Sequence, residues 1–307
     1  MTNLDNQVTA TPLVSIGMPL YNGAAFVAET LDSVLNQSYQ NIEIIIRDND
    51  STDNSKEIVK GYLARDQRIR FSSAKTNEGA AKNYNAVFAQ ATGQYFKWAA
   101  ADDLLDPTFV EKCVEVLETS PSTVLAYPQS IIIDASGAQV KHLDDRLDAD
   151  GDDPQARYLA VHTQLRECNA VFGVIRREAL AKTSLIQPYQ SADAHLLAEL
   201  TLYGRFQEIP ERLFFRRDHE EASSSDKSRA AQAAFYDPRQ VGRPLMFNWA
   251  GLWNDFKGIV RAPQTIYVRA KLIAFLCRTV WWQKHGFLQE LINYCKYLMR
   301  GLWFRRS

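Results

Sequence analysis

Two neighbouring carboxylates, Asp102 and Asp103, follow a short apolar run and precede Leu104-Leu105-Asp106-Pro107. Adjacent carboxylates in a cleft repel each other unless a cation stands with them. A hard divalent cation, Mn or Mg, bound through oxygen would resolve that repulsion and could bridge two phosphates. Alternatively, one of them, or Asp106, merely starts the next helix. A second polar cluster, Asp48-Asn49-Asp50-Ser51-Thr52-Asp53, has Asp48 or Asn49 placed to hydrogen-bond a nucleobase edge, or is only a loop and a helix cap. Asp193 opens a helical stretch, where a carboxylate can be an N-cap or a proton acceptor. Arg216 and Arg217 close a strand-like run and could contact phosphate. His219 lies two residues further on, and a lone His is also a common structural residue.

These residues need elements to position them. Leu13 to Met18, Ile42 to Ile46, Ile69 to Phe71 and Tyr95 to Ala99 read as strands. Helical spacing runs from Ala24 to Gln37, from Asn54 onward, from Ala80 to Ala91, and from Pro107 to about Glu118. Strand–helix alternation predicts a largely parallel α/β sheet with right-handed crossovers. Ligands then bind beyond the carboxyl ends of the strands. Each of these four strands runs into a polar cluster: Pro19-Leu20-Tyr21-Asn22, then Asp48-Asn49-Asp50, then Asn77 and Gly79, then Asp102-Asp103. Four clusters should therefore meet along one edge. Further strands are expected at 124–127, 131–133, 171–175, 206–209 and 213–215, a loop at 141–157, and helices at 193–202 and from 235 onward.

The chain has 307 residues, 46% apolar and 23% charged, which excludes a chain disordered throughout or a disulfide-held mini-protein. A net charge of −1 predicts no nucleic-acid partner. Cys113, Cys168, Cys277 and Cys295 make no C-x-x-C pair and read as reduced thiols. The opening residues have no signal-peptide pattern, and no apolar run approaches the roughly 20 residues of a spanning helix. A cytoplasmic location is expected.

The run VSIGMPLYNGAAFVAETLDSVLNQSYQNIEIIIRDNDSTDNS resembles the opening of the family 2 glycosyltransferases, inverting enzymes with the GT-A fold. The likeness continues through Asn77-x-Gly79, Asn85, Gly93-Gln94-Tyr95, Asp102-Asp103, Ser191-Ala192-Asp193 and Arg216-Arg217-Asp218-His219, covering about residues 13–220. It implies a nucleotide-sugar donor, UDP-linked, and a divalent cation. It also implies that Pro19, Tyr21 and Asn22 line the nucleotide pocket and that Asn49 contacts the base. Asp102 would ligate the metal, with His219 reaching the metal or diphosphate, and Asp193 would act as general base. Three positions depart from the family pattern. Asn49 replaces an Asp, Ala100 replaces the first Asp of the D-x-D motif, and Tyr84 stands where many relatives have Arg. Asn49 can still accept a hydrogen bond from a uracil N–H.

Residues 245–307 hold 10 of the 35 Lys and Arg, 2 of the 36 Asp and Glu, and five of the six Trp. The expected layout is a disordered tail at 1–12, a GT-A-like domain at 13–235 and a basic helical extension at 236–307. That extension suits packing on the catalytic domain, or an anionic membrane at the inner face of the plasma membrane. The acceptor implied by the resemblance is a glycan or lipid-linked glycan of surface polysaccharide or glycolipid assembly. Two other readings stay open: a sugar-nucleotide-binding scaffold without activity, and a sugar-phosphate nucleotidyltransferase. The second would want a basic Gly-rich loop, and Pro19-Leu20-Tyr21-Asn22-Gly23 carries no Lys or Arg.

Overall fold

The computed structural model describes residues 11–143, 147–220 and 228–303. All seven residues of β1 (Val14–Leu20) are buried, as a strand covered on both faces requires. Helix α1 (Val27–Leu35) turns Val27, Thr30, Leu31 and Val34 inward. β2 (Ile42–Asp48), α2 (Ser55–Leu63), β3 (Ile69–Ser73), α3 (Ala80–Ala89) and β4 (Tyr95–Trp98) complete the alternation read from the sequence. Then come β5 (Leu104–Leu105), α4 (Phe109–Thr119), β6 (Thr123–Ile133), β7 (Gln139–Leu143), α5 (Pro154–Gln164), β8 (Val174–Arg176), α6 (Arg177–Leu180), α7 (Ala192–Leu200) and β9 (Arg205–Arg217). The chain continues with α8 (Arg229–Tyr236), α9 (Phe247–Arg261), α10 (Ile266–Trp282) and α11 (Lys284–Trp303).

The described residues form one nine-stranded sheet in the order β3-β2-β1-β4-β8-β6-β9-β5, with β7 on β6. β2 runs parallel to β1 from Val14 opposite Ile42 to Leu20 opposite Asp48, and β3 parallel to β2 as far as Asp48 opposite Ser73. Leu20, Asp48 and Ser73 therefore end side by side, and the loops after them share one edge. β8 is antiparallel to both β4 and β6, so the sheet is mixed beyond β4. Strand alternation divides the core between the two faces. Phe96, Trp98 and Leu125 pack on one side, Tyr95 and Ala126 on the other.

Three expectations are corrected. The separate strands at 124–127 and 131–133 are one strand, as are those at 206–209 and 213–215. The two long strands pair in parallel and slip register at Pro128–Gln129, where Ile209 and Arg212 flank an inserted Pro210-Glu211. A bulge is where a sheet accommodates a Pro. Residues 171–175 divide into a 3-10 turn (Asn169–Phe172) and β8 at Gly173. A Cβ there would lie 2.5 Å from the Ala126 carbonyl oxygen, so only glycine permits this approach. The acidic loop is shorter than 141–157: Lys141 to Leu143 pair with β6, and Asp153 caps α5 by accepting from the Gln155 amide at 2.9 Å. Residues 1–10 of the expected tail lie outside the described residues.

Two of the basic C-terminal helices, α9 and α10, join the main core. Ile259, Ala262, Leu272 and Leu276 belong to the same buried cluster as Phe96, Trp98 and Leu197.

Candidate active site

Asp102 and Asp103 follow β4 and point in different directions. Asp103 is buried and its carboxyl accepts from the Arg217 amide at 2.9 Å. Burial first, and then Asp102, push its carboxyl up to about 8. Asp102 stays partly exposed, and its Oδ2 lies 3.0 Å from His219 Nε2. The His219 ring rests 4.7 Å from the Phe26 ring at the start of α1, which fixes its orientation.

Arg217 is a brace for this pair and not a free cation. Its guanidinium donates to the Asp102 carbonyl at 2.9 Å, to the Ala135 carbonyl at 3.0 Å and to Glu29 at 2.7 Å, and lies over Phe26. Arg216 faces the other way, to Glu167 at 2.7 Å, and keeps a partly exposed guanidinium. Of the two arginines read as phosphate contacts, Arg217 is fully buried among its partners, while Arg216 stays partly exposed.

The end expected to hold the nucleotide is built from the first three strand ends. Asp48 is fully buried, and its Oδ2 accepts from the amides of Asp50 and Ser51 and from the Ser73 hydroxyl at 3.1–3.2 Å. It shapes the turn, with Asp50 held at φ 66°. Asn49 donates to Asn77 Oδ1 at 2.9 Å and accepts from the Glu78 amide at 3.0 Å. Asn77 Oδ1 also accepts from the Gly79 amide at 2.9 Å. Gly79 has φ 85°, and any Cβ would collide with the Tyr236 carbonyl. Asn22, at φ 49°, accepts from the Thr52 amide at 2.8 Å, while Tyr21 beside it is exposed. Pro19 is buried within β1, opposite Arg47. Asn85, grouped from the sequence with the donor site, clamps Ile186: it donates to that carbonyl at 2.8 Å and accepts from that amide at 3.1 Å.

Asp193 opens the first turn of α7, after Ser191 at φ 64°. Its Oδ1 accepts from the Ala194 amide at 2.9 Å. The Cys168 thiol hydrogen-bonds to it; burial and then Asp193 push that thiol well above its ordinary range. Tyr84 joins the two halves of the cleft. Burial, then Asp102 and Asp103, and further on Asp193, all push its phenol upward. The carboxylates expected to serve donor and acceptor thus both act on one phenol. Tyr236, on the far side of Asp193, is pushed up by burial and by Asp193.

Asp102 and His219 fit a divalent cation in chemistry: one carboxylate oxygen and one imidazole nitrogen, 3.0 Å apart at a cleft edge. Mn and Mg sites commonly complete such partial sets with phosphate oxygens and water. Among the described residues no group of three or more His, Cys, Asp or Glu side chains could hold a metal alone.

Two features escaped the sequence reading. His195 is partly buried, and its Nδ1 lies 2.7 Å from Asp255 on α9. Burial draws its pKa down, but the hydrogen bond and charge of Asp255 win and the net direction is up. Close approach of α9 makes the contact possible. A Cβ on Gly251 would sit 2.6 Å from His195 Nε2, and one on Gly258 would sit 2.9 Å from Glu199 Cδ. Gly251→Ala is therefore expected to destabilise the fold by about 1–3 kcal/mol through overpacking. Thermal unfolding checks it.

The second is Lys97, in β4 with no exposed surface. It donates to the Phe172 carbonyl and lies 4.2 Å over the Phe109 ring. Burial pulls its ammonium down to about 7. The folded form releases this proton at a lower pH than the unfolded chain, near 10.4. The burial penalty is therefore complete below pH 7 and is relieved as pH rises toward 10, by on the order of 1 kcal/mol per pH unit. Lys97→Met should be stabilising relative to wild type at pH 6–7, and the gap should shrink by pH 9.5. Paired melts at several pH values would show it.

A mixed sheet with a parallel nucleotide-binding half, flanking helices and a carboxylate at the β4 edge is the GT-A architecture. The model described as glycosyl transferase family 2 matches residues 15–183, more than half of the chain, which therefore belongs to that family. An uncharacterized glycosyltransferase of Haemophilus influenzae is 35% identical over 130 residues, 42% of this chain and 52% of that protein. The hyaluronan synthase of Pasteurella multocida is 32% identical over 136 residues, 44% of this chain and 14% of that protein. The chain thus aligns with about half or less of the length of these relatives. Among solved structures, S. aureus TarS 1-349 in complex with UDP-GlcNAc superposes with a TM-score of 0.67 at 17% identity. That match covers 92% of this chain and 78% of the TarS chain, and it bears on fold alone.

Proposed function

We propose that this glycosyltransferase inverts the anomeric carbon of a UDP-sugar while moving the sugar to a hydroxyl of a glycan or lipid-linked acceptor. The product would serve surface polysaccharide or glycolipid assembly. The observation that carries the reading is that Asp102, 3.0 Å from His219, and Asp193 both act on the one phenol of Tyr84. The acceptor oxygen attacks the anomeric carbon on the face opposite the nucleotide. The bond from that carbon to the diphosphate breaks, and the acceptor proton passes to Asp193. Asp102 and His219 would hold Mn or Mg, which when bound supplies positive charge to the departing diphosphate. Asn49, buried and held by Asn77 and the Glu78 amide, would shape the base end of the pocket. TarS, crystallised with UDP-GlcNAc, supports a uridine donor, and the Pasteurella synthase supports polysaccharide as the product class. Such an acceptor suits a protein peripheral to the inner face of a membrane.

Calorimetric titration with UDP, GDP and dTDP, each with and without Mn, tests the donor. Metal-dependent binding of UDP is expected. Folded protein that binds none of the three would overturn the assignment of the donor pocket.

A further inference from the structure

The base of α11 is fixed to the body, and among the described residues nothing covers positions 291–299 of the helix. Glu290 is 1% exposed and accepts from the Asn248 amide at 3.1 Å, capping the start of α9. Phe287 is buried, and its carbonyl accepts from the Trp249 indole at 3.1 Å. Every residue from 291 to 299 is exposed. Leu288, Leu291, Ile292, Cys295 and Leu298 nonetheless keep the spacing of one apolar helix face. At the corner between α10 and α11, Trp281 and Trp282 are 69% and 65% exposed. Lys284 lies 4.7 Å over the Trp281 ring and Arg278 lies 4.8 Å over the Trp282 ring.

The charges choose the occupant. The segment's two acids, Asp255 and Glu290, are both buried, whereas Lys271, Arg278, Lys284 and Lys296 are exposed. This surface presents cations, indoles and aliphatic groups with no acid among them. A second copy laid against the same face would oppose like charges. A bilayer with anionic headgroups matches all three kinds of group at once. No helix among the described residues is long and apolar enough to cross a membrane, so this one would lie in the interface.

We infer that the α10–α11 corner and the outer half of α11 form a docking surface for anionic lipid. The inference deepens the membrane location proposed above and uses nothing from the roles of Asp102 or Asp193. Its test reads lipid and not sugar, so either can fail without the other.

The full chain is sedimented with phosphatidylcholine vesicles with or without phosphatidylglycerol. Binding is expected only with phosphatidylglycerol, with release at high salt. Lys284→Gln and Lys296→Gln should each weaken partitioning about fivefold. Trp281→Ser combined with Trp282→Ser should weaken it by more than tenfold. These residues are exposed, so unchanged melting and unchanged UDP affinity establish that the variants fold. Absence of binding to anionic vesicles would overturn the inference. So would equal binding to neutral vesicles, or a dimer in solution that the Leu291→Gln, Leu298→Gln variant dissociates.

Discussion

Asp193→Asn should reduce sugar transfer by roughly 10²–10⁴-fold, the usual contribution of a positioned general base, and leave UDP affinity unchanged. The substitution is close to isosteric. An amide oxygen can still accept from the Ala194 amide, which Asp193 Oδ1 now does at 2.9 Å, so α7 keeps its first turn. What is lost is the ability to take a proton from the acceptor. Tyr84 and Cys168 do not replace it: burial and the surrounding carboxylates push both groups up, so neither offers an anion near neutral pH. Initial rates over a range of acceptor concentrations, alongside calorimetry with UDP and Mn, separate the two effects. A variant that retains wild-type turnover would remove Asp193 from the chemistry. A wild-type protein with no turnover on any acceptor, yet tight UDP binding, would favour the scaffold reading.

Asp102→Ala should act on the other side of the cleft. Mn-dependent UDP affinity is expected to fall by at least about 100-fold, since even outer-shell partners of metal sites contribute 10–100-fold. The fold should survive. Arg217 holds this loop through the Asp102 backbone carbonyl at 2.9 Å, which the substitution leaves in place. Asp103→Ala makes the contrast. It removes the buried acceptor of the Arg217 amide, so its effect should be on melting temperature before nucleotide affinity. If Asp102→Ala bound UDP and Mn like wild type, the cation would have to be held elsewhere or not used.

The edge on which these residues meet was legible because it follows from the alternation of strand and helix. Once β1 to β4 are parallel, Tyr21, Asn49, Asn77 and Asp102 have no other place to go. The division of labour within each cluster was not legible. Asp48, Asn49 and Asp50 are equivalent in sequence, yet Asp48 is consumed by the turn while Asn49 faces Asn77. Arg216 and Arg217 are adjacent, so strand alternation sends one toward Glu167 and the other under Asp102. Asn85 carried a motif position but spends its side chain on the Ile186 backbone. Lys97 left one trace, a charge inside Tyr95-Phe96-Lys97-Trp98 where the strand is otherwise apolar. The His195–Asp255 contact left none, because its partners are 60 residues apart and periodicity reports only on near neighbours.

The contact between α7 and α9 also bears on how such a protein can be re-engineered. Suppose residues from about 140 to 195 were exchanged for those of a relative. That segment ends at His195, whose ring is seated on Gly251 and bonded to Asp255. A graft from a relative would bring its own residue to this seat and find a helix shaped for imidazole. The unit of exchange is therefore discontinuous, and the matched piece of α9 has to travel with it.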